Sequence, residues 1–291
     1  MIPTPRTPPG TPPPGTPKVN TSSLKNSFQT LESPEFFASV SSSLKPCFQI
    51  LIFQTDNRTD VDYLALTKLV NNKMSRFLNE NIDGSLEYKH LFHLMEPTQY
   101  ENIHPATGKI NVVYDLLNER EEEILVFLDS DAWIQNPHHL NELIQYLLKH
   151  PEKQGCFSRD PYLSRNDYIN SGSFILRIND YTRNMYKEIK KSLEENDSHH
   201  HKWSYDQHYI SKYIHEKKDD FIIFIPHIIN TPEGQILRHH WWKTYSMFQD
   251  LYGLLDTDTN YKKPEAPYFF DDKIDDRPYP NPNTYDYEYK R

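Results

Sequence analysis

The sequence predicts an α/β fold in which a mostly parallel sheet is covered by helices on both faces. Short apolar runs, typical of buried strands, alternate along the chain with segments whose apolar residues recur at helical spacing. One such run, 124–128, leads directly into two aspartates, Asp129 and Asp131, and another helical segment follows. Strands that alternate with helices pair mainly in parallel, and ligands bind at the carboxyl ends of such strands.

Six segments are predicted as strands. The first, 47–53, is a short apolar run that ends in a polar loop over 54–58. The third is the apolar run that precedes Asp129. The full set is 47–53, 86–94, 123–128, 155–157, 168–177 and 221–229.

Five helices are predicted between and after these strands. Asp60 is a candidate cap for the first, whose apolar residues run from Val61 to Phe77. Pro137 opens the third, because proline suits the first turn of a helix. The predicted helices are 61–77, 110–118, 137–148, 181–195 and 203–215.

The prolines mark the ends of the folded part. The chain has 291 residues, with 22 prolines and only 8 glycines. The first 19 residues form a Pro/Thr/Gly repeat that favours extended polyproline II and buries no apolar surface. A Tyr-, Asp- and Pro-rich stretch ends the sequence. We therefore expect a leader over 1–45, a single domain over 46–260 and an extended tail over 261–291.

Composition excludes several classes of function. The net charge of −9 argues against a nucleic-acid binder that relies on phosphate neutralisation. No apolar run is long enough to predict a membrane-spanning helix, and the amino terminus lacks the apolar core of a secretory signal. Two cysteines, Cys47 and Cys156, are too few for a disulfide framework. We therefore expect a soluble, cytoplasmic protein.

The segment Asp129-Ser130-Asp131 is the first candidate site. Two carboxylates two residues apart, just past a strand, can both approach one divalent cation, and hard oxygen ligands suit Mg²⁺ or Mn²⁺. Such a cation also binds phosphate oxygens and neutralises the charge on a leaving diphosphate. The alternative is a pair of solvated loop aspartates or a helix cap.

Three later motifs add polar groups. Residues 170–173 form a small segment whose Gly172 permits a close approach of the backbone. Asp206 begins a helix and is interpreted as an N-cap, a base or an anchor for a sugar. The run 239–243 offers histidines for a metal, a lysine for a phosphate, and tryptophans that either stack on a ligand or form a buried cluster.

Taken in order, these motifs resemble the GT-A glycosyltransferases. The resemblance is to the family of galactosyl- and mannosyltransferases and xyloglucan xylosyltransferases, and it covers about 46–250. The matching segments are Lys109-Ile-Asn-Val-Val-Tyr-Asp-Leu-Leu, Leu128-Asp-Ser-Asp-Ala132, Asn170-Ser-Gly-Ser-Phe-Ile-Leu-Arg177, Asp206-Gln207, and His239 or His240. The resemblance implies a Rossmann-like GT-A fold.

The same resemblance implies a metal-dependent transferase. It would move a sugar of the xylose, galactose or glucose class from a UDP-sugar to a hydroxyl of a glycan or glycoprotein acceptor, with retention of configuration. Mn²⁺ or Mg²⁺ would be held by Asp129, Asp131 and a late histidine, His239 or His240. Asp206 and Gln207 are the catalytic candidates. The candidates for donor binding are Thr55, Asp56, Asn57, Arg58, Lys109, Ser130, Asn170, Ser171, Gly172 and Lys243.

The sequence also departs from the family. His239-His240-Trp-Trp stands where the family has His-Phe-x-Gly, so the resemblance does not indicate which of the two histidines binds the metal. The family is mostly membrane-anchored in the Golgi, whereas we expect no anchor in this chain. With its Thr-Pro-Pro-Gly leader, the chain resembles a soluble enzyme of a large algal virus. Such viruses glycosylate their capsid outside the host secretory route.

Two other functions are compatible with these residues. One is a non-catalytic carbohydrate-binding or capsid-associated protein, for which the aromatic content and the tails are suitable. The other is an Asp-dependent phosphohydrolase or nucleotidyltransferase. Ala132 and Trp133 after the second aspartate argue against the phosphohydrolase, and the lack of glycine over 54–58 argues against the nucleotidyltransferase.

Overall fold

A computed structural model describes residues 47–82, 84–161, 168–241, 244–256, 264 and 266–276. The predicted leader up to residue 45 and the candidate Lys243 lie outside these ranges. The strands are β1 (Phe48–Asp56), β2 (Leu86–Leu94), β3 (Ile124–Asp129), β4 (Ala132–Ile134), β5 (Gly155–Arg159), β6 (Ile169–Arg177), β7 (Phe221–Phe224) and β8 (Leu237–His239). The helices are α1 (Asp62–Asn81), α2 (Pro105–Glu119), α3 (Pro137–Lys149), α4 (Asp180–Glu195), α5 (Asp206–Glu216) and α6 (Tyr245–Asp256).

The main sheet has six strands in the order β2-β1-β3-β6-β5-β7. β1 runs parallel to β2 and β3, and β5 runs parallel to β7, whereas β6 is antiparallel to both of its neighbours. The first residues of β6 therefore lie at the sheet edge where β1 and β3 end, since Ser173 pairs with Leu128 and Thr55 pairs with Asp129. This register brings the ends of β1 and β3 and the start of β6 together at one edge of the sheet, the kind of edge where ligands bind in α/β folds.

Helices cover both faces of this sheet, as predicted. Successive residues of a strand point to opposite faces, so Ile50 and Ile52 join one core while Leu51 and Phe53 join the other. The first core also contains apolar residues of α1, α3 and α6, and the second contains those of α2, α4 and α5. The expectation of a single α/β domain with a mainly parallel sheet is confirmed.

Several element boundaries differ from the prediction. β1 continues through Thr55 and Asp56, which are buried strand residues and not loop residues. α1 follows Val61, and Asp60 does not cap it. β7 ends at Phe224, two residues before Pro226, which has no N–H to donate to a neighbouring strand.

Three elements were not predicted. β4 and β8 pair as a separate antiparallel ribbon in which Ala132 lies opposite His239. α6 packs its buried residues Met247 and Leu251 in the core shared with α1 and α3. The ribbon matters for the site, because the pairing of β4 with β8 places His239 beside the segment that follows Asp131.

Part of the predicted tail contacts the domain. Phe270 is buried in the first core, and Ile274 forms an antiparallel bridge with Phe224 at the end of β7. The carboxylate of Asp275 lies 3.0 Å from the guanidinium of Arg159, and both side chains are buried. Residues 266–276 therefore belong to the packed structure.

Among the described residues, no helix combines the length and the apolar character needed to cross a membrane.

Candidate active site

Two acidic side chains and one histidine meet at the edge where β1 and β3 end. The Nε2 atom of His239 lies 3.3 Å from Oδ1 of Asp131 and 3.8 Å from Oδ2 of Asp129. One ligand atom from each of the three residues falls within 4.8 Å of the others. Two carboxylates and an imidazole form a donor set suited to Mn²⁺ or Mg²⁺, so the residues fit a divalent cation.

The side-chain oxygens of two asparagines accept from Nδ1 of His239 and orient its ring. Nδ2 of Asn230 donates to the carbonyls of Asn170 and Ser173 at 2.6 and 3.0 Å, so its Oδ1 faces Nδ1 of His239 at 2.8 Å. Oδ1 of Asn170 accepts from the Gly172 amide at 3.1 Å and also lies 3.2 Å from Nδ1 of His239. Nδ1 is therefore the nitrogen that donates to the asparagine oxygens, which leaves Nε2 as the nitrogen that faces the aspartates and could bind a cation.

Gly172 is required by the close approach of this histidine. A Cβ atom at residue 172 would lie 2.0 Å from Cε1 and 2.1 Å from Nδ1 of His239. The predicted use of Gly172 for a close approach thus has a specific partner, the imidazole ring.

The other candidate histidine lies outside this group. The ring of His240 stacks on Trp133 at 6.3 Å with an interplanar angle of 9°, and its backbone amide donates to the carbonyl of Asp131 at 2.9 Å. The geometry brings His239, and not His240, to the two aspartates.

A buried polar network from α1 and β1 holds the loop between the aspartates. The carbonyl of Ser130 accepts from Oγ1 of Thr67 at 2.8 Å and from Nε2 of Gln54 at 3.2 Å. Asn71 accepts from the Ile134 amide at 3.0 Å and donates to the carbonyl of Ala132 at 3.2 Å. These contacts fix the backbone on both sides of Asp131.

Lys109 lies between the carboxylates of Asp129 and Asp206. Its Nζ atom is 3.0 Å from both carboxylate oxygens of Asp129 and 3.3 Å from Oδ2 of Asp206. Burial alone would lower the pKa of Lys109, but the two carboxylates outweigh that effect and raise the pKa. Burial raises the pKa of Asp129 to about 6, against the opposing effects of Lys109 and His239. A bound cation would favour the ionised carboxylate.

Two adjoining cavities meet at Lys109 and Asp129. The first, of about 370 Å³, is lined by the end of β1, the start of α2 and the aspartate loop. The second, of about 250 Å³, is lined by the start of β6, the start of α5 and His239. The first contains the candidates Thr55, Asp56, Asn57, Arg58 and Ser130, and the second contains Asn170, Ser171, Gly172, Asp206 and Gln207.

The polar groups at the end of β1 are already engaged. Oγ1 of Thr55 donates to the carbonyl of His93 at 3.0 Å. Arg58 donates to both oxygens of Asp56 at 3.0 Å, and its guanidinium also contacts the hydroxyl of Tyr63 at 3.0 Å. The half-exposed Arg58 thus presents a fixed guanidinium at the mouth of the first cavity.

Sequence reasoning missed two groups of site residues. Thr67 and Asn71 occupy buried positions on the core face of α1. Polar residues at apolar positions of an amphipathic helix are a signal that could have identified them. Asn230 follows an apolar run and carries no motif, so its contact with His239 has no signal in the sequence.

The fold is one that glycosyltransferases adopt. A solved structure of a glycosyltransferase involved in the glycosylation of the major capsid of PBCV-1 matches with a TM-score of 0.50 and 16% identity, covering 73% of this chain and 100% of that one. The glycosyltransferase GlyE of Streptococcus pneumoniae TIGR4 matches with a TM-score of 0.46 and 10% identity, covering 74% of this chain and 62% of that one. At these identities the first likeness shows the fold alone. No protein-family model and no curated protein matches the sequence.

Proposed function

We propose that the chain is a metal-dependent glycosyltransferase that uses a UDP-sugar donor. The observation that carries the proposal is the group formed by Asp129, Asp131 and His239, placed at the junction of two cavities. The first cavity would hold the nucleotide and the second the sugar. The metal-binding group lies between the two cavities, where the diphosphate that joins nucleotide and sugar would lie. The donor sugars we propose are xylose, galactose and glucose.

Asp129, Asp131 and Nε2 of His239 would hold the cation. When bound, Mn²⁺ or Mg²⁺ would neutralise the charge that develops on the leaving diphosphate. Lys109 reaches the same point through Nζ, and its charge supports the binding of an anion beside Asp129. Arg58, at the mouth of the first cavity, is our candidate for contacts with the nucleoside.

Asp206 and Gln207 would position the donor sugar. Both residues are buried at the start of α5 and line the second cavity. Oδ2 of Asp206 is engaged by Lys109 at 3.3 Å, which fixes the orientation of the carboxylate. We therefore assign Asp206 to hydrogen bonding with sugar hydroxyls, and we propose transfer with retention of configuration.

The acceptor we propose is a glycan hydroxyl, including that of a glycoprotein. The solved structure with the TM-score of 0.50 comes from an enzyme involved in the glycosylation of a viral capsid. That likeness supports a glycoprotein as the first acceptor to assay.

Calorimetric titration of UDP in the presence of Mn²⁺ tests the metal site. The double variant Asp129→Asn, Asp131→Asn should bind UDP at least about 100-fold more weakly than the wild type, because two of the three protein ligands lose their charge. The matched control is Asp60→Asn, Asp62→Asn, which makes the same changes at the same spacing on two exposed residues. Unchanged UDP affinity in the site variant would show that the metal site is wrongly assigned, and no UDP binding by the wild type would refute the donor.

Thermal-shift and hydrolysis measurements with UDP-xylose, UDP-galactose and UDP-glucose then identify the donor. A donor that binds the native state raises its melting temperature by mass action. The anomeric configuration of the product, measured by NMR, tests retention.

A further inference from the structure

Three aromatic residues line the second cavity. Trp203 and Tyr205 precede α5, and Trp241 follows β8. All three side chains are partly exposed. We call these three residues the aromatic wall. They line the second cavity but not the first, whereas Lys109 and Asp129 line both.

Each ring of the aromatic wall is held by a neighbouring ring. Trp203 meets Tyr168 edge-on at 5.4 Å, and Trp241 meets His239 edge-on at 5.2 Å. Tyr205 stacks on His104 at 4.2 Å with an interplanar angle of 16°. Rings fixed in this way lose little further freedom when a ligand binds, which favours affinity.

The backbone of Tyr205 is strained. Its φ of 54° and ψ of −129° lie in a region that bulky residues rarely adopt. The other non-glycine residue with positive φ among those described is Asn102, whose carbonyl accepts a hydrogen bond from Nε2 of His201 at 2.9 Å. Strain of this kind persists where the surrounding structure fixes a ligand-binding geometry.

Polar groups lie beside the wall. The side chain of Ser204 lines the cavity, is 1% exposed, and its Oγ has no hydrogen-bond partner within the described part of the chain. The carboxylate of Asp160 is also buried at this cavity, with Oδ2 3.3 Å from Nδ2 of Asn170. A buried hydroxyl without a partner is costly, and a ligand hydroxyl would satisfy it.

Aromatic faces combined with a hydroxyl and a carboxylate match the chemistry of a pyranose ring. The C–H face of such a ring packs on aromatic carbon, and its hydroxyls bond to the polar groups. Lys109 is the only lysine or arginine that lines the second cavity among the described residues, so the wall is suited to a neutral ligand and not to a second phosphate.

We propose that the aromatic wall binds the terminal pyranose of the acceptor glycan. This assignment rests on the proposed function, in which the donor sugar occupies the part of the cavity next to Asp129 and Lys109. The wall then places the acceptor hydroxyl beside the donor carbon, with Ser204 and Asp160 bonding to other hydroxyls of the acceptor ring.

Binding of methyl pyranosides tests the proposal by saturation-transfer NMR. The probes are the methyl glycosides of glucose, galactose, mannose and xylose, added with and without UDP and Mn²⁺. At least one should bind the wild type, and Trp203→Ala should weaken it about tenfold or more. Trp203→Phe, which keeps an aromatic face, should recover most of the affinity and guards against loss of folding. The matched control is Tyr252→Ala, which removes a ring that is 54% exposed on α6.

The outcomes separate the two proposals. If no pyranoside binds the wild type, or if Trp203→Ala binds as well as the wild type, the aromatic wall is not an acceptor site. If pyranosides bind at the wall but UDP and Mn²⁺ do not bind to the protein, the proposed donor fails while the wall remains. A comparable weakening of UDP by Trp203→Ala would place the ring in the donor site and overturn the acceptor assignment.

Discussion

Substitution of Gly172 by alanine adds one methyl beside His239, and so tests whether His239 binds the metal together with Asp129 and Asp131. Gly172 lies in β6 without a positive φ, so alanine fits the backbone conformation. The new Cβ would meet the ring of His239 at 2.0 to 2.6 Å. The perturbation therefore acts on the histidine and not on the strand.

The displacement follows from the contact distances. Ordinary carbon contacts begin at 3.4 Å, so the imidazole must retreat by about 1.4 Å. Metal–ligand distances tolerate only about 0.2 Å. Such a shift removes His239 from the coordination set, and loss of one ligand of three should weaken Mn²⁺-dependent UDP binding at least about 100-fold, or ~2.8 kcal/mol.

Calorimetric titration of UDP with Mn²⁺ measures this loss, and thermal unfolding reports whether the variant folds. The control is Gly253→Ala on α6, where an added Cβ meets nothing within 4 Å. It should leave UDP binding unchanged and raise stability by about 0.5–1 kcal/mol, because glycine is unfavourable in a helix.

The double variant Gly172→Ala, His239→Ala shows whether the methyl acts through the histidine ring. If the methyl acts only by displacing the ring, the double variant should bind Mn²⁺ and UDP no worse than His239→Ala alone. A folded Gly172→Ala protein with wild-type affinity for UDP and Mn²⁺ would refute the account of the site.

Two further predictions concern the support of the site and its response to acid. Thr67→Val removes the hydroxyl that donates to the Ser130 carbonyl at 2.8 Å, and it should weaken Mn²⁺-dependent UDP binding about tenfold. Thr67→Ser keeps the hydroxyl and should bind UDP as the wild type does. Equal UDP affinities of the two variants in calorimetric titration would exclude this role of Thr67. Burial lowers the pKa of His208 from 6.5 to about 3, so the unfolded chain takes up a proton below pH 6.5 that the folded chain does not. Stability is therefore lost as the pH falls from 6.5 toward 3, and His208→Gln should lose about 2 kcal/mol less than the wild type between pH 7.5 and 5.0 in urea unfolding; identical losses would contradict the prediction.

Local chemistry explains why much of the fold follows from the sequence. β2 has the predicted bounds, and α3 begins at Pro137, where proline supplies a helical φ and lacks only an N–H that the first turn does not use. β3 is correctly predicted because five consecutive apolar residues suit a strand buried on both faces. These features depend on residues close together in the chain.

Features that depend on distant contacts were not predictable. The strands β4 and β8 have three residues each, too few to show a period, and they exist because they pair with one another. α5 begins at Asp206 and not at the predicted residue 203, because Tyr205 adopts a positive φ. Nothing in the sequence of that segment indicates this backbone conformation. The choice of His239 over His240 depends on which side chain the ribbon turns toward Asp131.

Residues 266–276 protect the protein from association through an open sheet edge. β7 is the last strand of the main sheet, and an edge strand offers unpaired N–H and C=O groups to other chains. The Ile225 amide donates to the carbonyl of Lys273 at 2.9 Å, and the Asp275 amide donates to the carbonyl of Ile223 at 2.6 Å. A chain shortened to residue 260 would expose this edge and the cavity left by Phe270, and would be prone to aggregate. A shortened version intended for crystallisation or binding assays should therefore end after residue 276.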